Sequence, residues 1–504
     1  MIKLTKLTLL NDYNKFVSKA QYLAKKNDLK GALTFIDASI RIAYNFNFIY
    51  TDDRLESLLK FVAEQKLDKC NFIPVSNRYV FYDYFGNTKV LTQQYIRALM
   101  SWNVEFLYIL ENGSESDNSE IIDEIRACSK AKIVILTGAD PFDKMRQAQA
   151  VIADFKPSKA FLHLAPWDLV GVCLWNTLPQ VVRFLINLTD HAFWVGTSCT
   201  DFVLEFRTYG FNLSKDARKI PEKKLLLQPY YPIQNDVAFN GFPVDLKDKI
   251  VGFSGSSFYK IYGRQGKFLN LIKSILLENE NFVFLLAGWG IDSPIKKFIN
   301  DNGFQERFIL LGERKDIDQV FKRIDIFINT YPFIGGLMTQ LAVKNNKAIA
   351  SYTSKDLTFN FIEDFLTIDR KKAGSIKDET SFLLEMNNLI RDINYRNKNI
   401  QLYSGSIPSV QDFNDTLWMN CNISYDNNVN NVPSIEINYE AILGLYLEVE
   451  NDFLKIYQKL KLVNLKFLYF RYFPISAIRS IFLVLLLDFK TVKRNFKDLI
   501  KKLI

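Results

Sequence analysis

Histidine is nearly absent from this chain: there are two in 504 residues, His163 and His191. A catalytic base that titrates near neutral pH without help has to be one of them. Cysteine supplies no framework either. Cys70, Cys128, Cys173, Cys199 and Cys421 are odd in number, scattered and without a CxxC pair, which argues against a disulfide scaffold or a zinc site and fits a reducing compartment. No run reaches the roughly 18 apolar residues of a spanning helix, and the N-terminus, MIKLTKLTLLNDYNKF, lacks the apolar core of a signal peptide. The expected placement is therefore cytoplasmic. An arginine-rich arm, a recognition-helix motif and a zinc knuckle are also missing. The net charge of +9 is accordingly read as serving a phosphorylated substrate or anionic lipid, with no nucleic-acid partner.

What is present reads as globular: 48 % hydrophobic and 24 % charged residues, in a chain longer than one core usually serves. Two sizeable domains with appendages are expected. Residues 1–70 form an N-terminal helical region, two amphipathic helices joined at Asn27–Asp28, which is either a helical cap or a single tetratricopeptide-type hairpin. From 71 to 230 the rhythm is strand then helix, with strands at Arg78–Phe85, Val104–Leu110, Lys132–Leu136 and Lys159–Leu164, which predicts a parallel sheet flanked by helices. Pro221, Pro229, Pro232 and Pro243 mark the crossing between domains. Residues 231–395 restart the alternation at Lys249–Phe253, Phe282–Ala287, Phe308–Leu311, Ile324–Asn329 and Ala348–Ser351. The remainder, 396–504, reads as a polar loop, from about Asn394 to Pro433, followed by C-terminal helices.

The most informative segment is Ile326–Ala350, IFINTYPFIGGLMTQLAVKNNKAIA: a strand, a loop with proline and glycine, an amphipathic helix and a second strand. Gly335 and Gly336 would present bare amides at a helix N-terminus, where unpaired N–H groups and the helix dipole favour phosphate. The segment reads as a diphosphate cradle, with Tyr331, Thr339 and Gln340 around it. At the start of the same domain a strand ends in Ser254, Gly255 and Ser256, with Lys260 and Arg264 following. Small residues there let a backbone approach phosphate or ribose, and the cations would meet its charge. Gly288 and Glu313 follow the next strands on the carboxyl edge, where open α/β sheets bind ligands. Of the histidines, His191 has Asp190 beside it and His163 ends a strand; either is a candidate base. Asp140 and Asp143 are read as helix-capping residues, not metal ligands.

On these residues the chain resembles the GT-B glycosyltransferases, over roughly Val80 to Leu366. NLTDHAFWVGTSCTDF together with INTYPFIGGLMTQLA is similar to bacterial relatives of O-GlcNAc transferase and of the adhesin glucosyltransferases. The resemblance implies two facing Rossmann-like domains, with Asp190 and His191 in the acceptor-side cleft and Gly335, Gly336, Thr339 and Gln340 on the donor diphosphate. It also implies a nucleotide-sugar co-substrate and no metal or other cofactor. Gln340 stands where retaining families place a glutamate, which favours inversion. The expected function is transfer of a sugar from a nucleoside-diphosphate donor to a saccharide, lipid-linked at the inner face of the plasma membrane if Lys459–Ile504 is a membrane-surface element. Transfer to protein and a non-catalytic sugar-nucleotide scaffold are the alternatives.

Overall fold

In a computed structural model, residues 3–86, 89–233, 237–366, 374–423 and 431–487 are described. Seven strands form one wholly parallel sheet: β1 (Val75–Asp83), β2 (Glu105–Leu110), β3 (Ala131–Ile135), β4 (Pro157–His163), β5 (Val182–Asn187), β6 (Phe202–Glu205) and β7 (Leu225–Leu227). Their order is β3-β2-β1-β4-β5-β6-β7. A second sheet holds β8 (Ile250–Gly255), β9 (Phe282–Ala287), β10 (Phe308–Gly312), β11 (Ile326–Ile328), β12 (Ala348–Tyr352) and β13 (Ser375–Ile376), in the order β10-β9-β8-β11-β12-β13. Both are doubly wound. Each reverses direction next to its first strand, which opens a crevice at the carboxyl ends of β1 and β4 and another at those of β8 and β11.

The central strands are apolar on both faces because helices cover both. Phe282–Ala287 is buried at every position, and Val80–Tyr82 lie in register between Leu107–Ile109 and Ala160–Leu162. The strands expected from Arg78 to Leu164 and from Lys249 to Ser351 are all formed. Sequence reasoning missed β5, β6, β7 and β13. The last three are only four, three and two residues long, so no alternation can develop along them, and β7 lies in the segment read as connector.

One expectation fails. The polar stretch from Asn394 to Pro433 is not a loop: helices run from Ile393 to Tyr403 and from Val410 to Asn422. The second starts at a capping box between Ser409 and Asp412 and buries Phe413, Leu417 and Cys421, spaced four apart, in the core of the first domain. Asp412, Asn414, Asp415, Asn420 and Asn422 flank these apolar positions, which masked them in sequence. Residues 424–430 of that stretch, and 488–504 of the C-terminal segment, lie outside the described residues.

At the other end, helices Lys6–Lys25, Leu29–Phe46 and Asp53–Lys66 cap the first domain. This cap holds a loop in place. Asn47 accepts the Phe193 amide at 3.1 Å, and the Glu56 carboxylate accepts the amides of Gly196, Thr197 and Ser198 at 2.8, 3.2 and 3.1 Å. The loop so fixed carries Asp190 and His191.

Candidate functional site

Between the two sheets lies a cavity of about 190 Å³. The first domain contributes Asp190, His191 and Arg207 to its wall, and the second contributes Lys260, Gly336 and Phe365. Asp190 and His191 follow β5, and Arg207 follows β6, so all three sit on the carboxyl edge of the first sheet. Lys260 follows β8, and Gly336 opens the helix Gly336–Lys344 after β11.

Asp190 is 1 % exposed and is gripped by Arg207, whose Nη2 donates to Oδ1 at 3.0 Å and whose Nε donates to Oδ2. Burial alone would push the carboxyl up. The charge of Arg207 and the hydrogen bonds from His191 and Arg207 outweigh it and hold Asp190 well below the usual carboxylate range. Asp190 is therefore an acceptor only. The 3.2 Å contact from His191 Nδ1 to Asp190 Oδ1 then has Nδ1–H as donor, so in the neutral ring Nε2 is the nitrogen that carries the lone pair. The ring is about one-third exposed, lies on the cavity wall and is oriented by a buried carboxylate.

Arg207 also reaches the other domain. Its Nη1 donates to the Phe359 carbonyl at 2.7 Å, and its guanidinium lies 4.3 Å from the centre of the Phe365 ring. Lys260 faces the same space, with Nζ donating to the Ile334 carbonyl at 3.0 Å. Burial, and then the neighbouring charge of Arg207, lower its ammonium to about 8. Two cations share the cavity with one helix start, where the first amides have no partners inside the helix and Gly335 supplies no side-chain cap.

The structure separates the other sequence candidates. The Gly335 amide donates to Asn329 Oδ1 at 3.1 Å, and its carbonyl takes the Thr339 hydroxyl at 3.0 Å, so these two residues close the turn upon itself. Gln340 donates to the carbonyls of Tyr230 and Phe365 at 2.9 and 3.0 Å; it fastens the interdomain connector. Gly336 is required for packing: a Cβ there would stand 2.2 Å from the Phe365 ring. Bulk at that position collides with the protein whether or not a ligand is bound. Gly288 is likewise a packing glycine, at φ +151° with a Cβ position 1.8 Å from the Ser256 carbonyl.

Ser254 donates to the Ile328 carbonyl at 2.5 Å, tying β8 to β11. Gly255 lies beneath Met338 of the helix, and Ser256 Oγ is buried with no hydrogen-bond partner. Tyr331 donates to Ser354 at 3.2 Å, and Arg264 pairs with Asp356 at 2.6 Å; neither lines the cavity. Glu313 is exposed beyond β10. His163 is 2 % exposed and bonded to Asp83 at 2.9 Å, away from the cavity wall. Asp140 caps its helix through the Phe142 amide at 2.8 Å. Among the described residues no group of three His, Cys, Asp or Glu side chains is placed to hold a metal ion.

Two parallel doubly wound sheets that face each other across a cavity, with the chain returning to the first domain through Val410–Asn422, decide the architecture. The chain has the GT-B fold. It is similar to a single-site mutant of the Thermobaculum terrenum O-GlcNAc transferase, with 12 % identity and a TM-score of 0.51 over 87 % of this chain and 81 % of that one. It is also similar to Anabaena HepE in complex with UDP-glucose, with 12 % identity and a TM-score of 0.50 over 69 % of this chain and all of that one. No protein-family model matches the chain, and no curated protein does.

Arg207 is the charged residue of the cavity wall that sequence reasoning missed. It stood in plain view in EFRTYG, but β6 before it is too short to be recognised, so nothing marked Arg207 as the residue at the end of a strand.

Proposed function

We propose that this protein is an inverting, metal-independent glycosyltransferase that moves a sugar from a nucleoside-diphosphate donor to a saccharide acceptor. The acceptor is lipid-linked and presented at the inner face of the plasma membrane, for assembly of a bacterial surface polysaccharide. The observation that carries this reading is the shared cavity, in which an oriented imidazole and Arg207 from one domain face Lys260 and a helix start from the other. His191 takes the proton of the acceptor hydroxyl through Nε2. The hydroxyl oxygen bonds to the anomeric carbon as the bond from that carbon to the diphosphate oxygen breaks. Lys260, Arg207 and the first amides of the helix at Gly336 meet the negative charge that develops on the leaving diphosphate. UDP-glucose, bound by the Anabaena protein of the same fold, is the first donor to try.

The test is thermal stabilisation by UDP, GDP, CMP, ADP and TDP, on the wild type and on Lys260→Met. A shift of several degrees with one nucleotide, much reduced in the variant, is the expected result. No shift with any of them would sink the reading. Slow hydrolysis of the matching nucleotide sugar then separates an enzyme from a scaffold that only binds it.

A further inference from the structure

Of the last two helices of the described chain, Tyr457–Tyr472 packs on the cap helix Leu29–Phe46, and Pro474–Leu487 packs back on Tyr457–Tyr472. Phe16 and Phe35 receive Tyr469, Tyr472 and Phe473, and Ala477, Ser480 and Val484 are buried on the inner face of the final helix. Its outer face is apolar too. Ile475, Ile478, Phe482 and Leu486 follow one another at spacings of three, four and four, which places them on one helical stripe, and they are 60 to 83 % exposed. Phe467 of the preceding helix, just past a backbone break at Lys466, is 64 % exposed. An ordinary solvated helix carries polar residues at such positions. A contiguous run of large apolar side chains marks a contact surface.

Charge identifies the occupant. From Tyr457 to Leu487 the chain has five cations, Lys459, Lys461, Lys466, Arg471 and Arg479, and no Asp or Glu. The cap adds more: Lys19 Nζ lies 4.3 Å from the centre of the Tyr472 ring. Lys15 and Arg479 both lie close enough to Lys461 to oppose its charge, although burial is the larger cause of its lowered value. The acids packed nearby are already engaged. Asp12 is bonded to Lys461 at 2.8 Å and Asp37 to Arg41 at 2.9 Å. In sequence, residues 488–504 add six cations, Lys490, Lys493, Arg494, Lys497, Lys501 and Lys502, against Asp488 and Asp498.

We infer that the stripe of Ile475, Ile478, Phe482 and Leu486, with Arg479 at the same helical spacing and Lys466, Phe467 and Arg471 exposed on the preceding helix, docks on an anionic phospholipid surface. The element lies on the membrane and does not cross it: the final helix has 14 residues, and no described helix is long and apolar enough to span a bilayer. The apolar stripe enters the boundary between headgroups and acyl chains while the cations meet lipid phosphates. The cap that this hairpin packs against also fixes the loop of Asp190 and His191, so docking brings the acceptor side of the cavity to the membrane. That consequence rests on the glycosyltransferase reading; the docking does not.

The test is flotation of the full chain with vesicles of phosphatidylcholine, alone and mixed with phosphatidylglycerol, at low and high salt and without donor or acceptor. The expected result is binding to the mixed vesicles only, weakened by salt. It should fall by about tenfold or more in Ile478→Ser/Phe482→Ser, which removes apolar area that the bilayer would bury, and should weaken in Arg471→Gln/Arg479→Gln. Because all four side chains are exposed, these variants should keep the wild-type unfolding temperature. Failure to bind mixed vesicles, or binding that the variants leave unchanged, overturns the inference. So does a concentration-dependent dimer in sedimentation that Ile478→Ser/Phe482→Ser dissociates, which would make a second copy of the chain the occupant. If vesicles bind but no nucleotide stabilises the protein, the proposed activity falls and the docking surface stands.

Discussion

The two sheets have the same strand order around their first strands, yet their crevices are filled differently. In the first, the register brings Asp83 and His163 side by side at the ends of β1 and β4. Their side chains join at 2.9 Å, and Tyr108 adds a hydroxyl to Asp83 at 2.8 Å. In the second, the ends of β8 and β11 carry Ser254, Gly255 and Asn329, whose short or absent side chains turn onto the backbone. Topology makes a crevice in both; a cluster of polar side chains fills the first, while small residues line the second and Met338 packs over Gly255. The first domain gives the cavity Asp190 and His191 one strand further along, after β5 on the loop that the cap holds, and Arg207 after β6.

The largest expected effect separates the two histidines. His191→Ala should lower turnover by about 10²–10⁴-fold, the usual worth of a positioned base. Nucleotide-induced stabilisation should remain that of the wild type, because Lys260 and the helix start lie on the other wall and Arg207 keeps its grip on Asp190. Retained turnover would remove His191 as the base and reopen the comparison.

Arg207→Met is next. It leaves the Asp190 carboxylate buried without its cation and the Phe359 carbonyl without its donor. A loss of about 3–5 kcal/mol in unfolding free energy is expected, read by denaturant titration. A change below about 1 kcal/mol would show that Asp190 finds another partner or takes up a proton.

The difference between the crevices explains what could be read in the sequence. Long, uniformly apolar strands such as Phe282–Ala287 announce themselves, and so does a glycine-bearing loop between strand and helix. The purpose of each glycine does not. Gly336 was expected to bare an amide for phosphate, and the folded chain shows that it also makes room for Phe365, a residue 29 positions away. Thr339 and Gln340 look like ligand donors in one dimension and turn out to serve the turn and the connector. The pairing of His191 with Asp190 could be read because the two are neighbours in sequence; that of Arg207 could not, because its partners Asp190 and Phe359 are 17 and 152 residues away.

Lys260 sharpens the donor side. Lys260→Met should weaken nucleotide binding by about 10–100-fold, as loss of a hydrogen bond to a charged group does. In the wild type the ammonium is lowered to about 8, so it carries its charge below that pH and loses it above. Nucleotide affinity should decline as pH rises through 8. Lys260→Met should be flat over the same range, and a wild type equally flat would assign the diphosphate to Arg207 and the helix start alone.

His163→Gln probes the filled crevice and should have the smallest effect on activity, within about twofold of wild type, since the group lies away from the cavity wall and contributes none of the ~10²–10⁴ of a positioned base. Its effect belongs to stability. Burial would raise Asp83, but the charge and hydrogen bond of His163, with the Tyr108 hydroxyl and the Gly86 amide, hold it below its ordinary value. A carboxyl depressed on folding stabilises the native state above its unfolded value near 3.8 and loses that contribution as pH falls through the folded one. Glutamine keeps one hydrogen bond to Asp83 and no charge. His163→Gln should therefore cost about 1–3 kcal/mol at neutral pH, and its stability should fall less steeply on acidification than that of the wild type. If turnover collapsed while stability held, the first crevice would be a working site, and the contrast between filled and open crevices would fail.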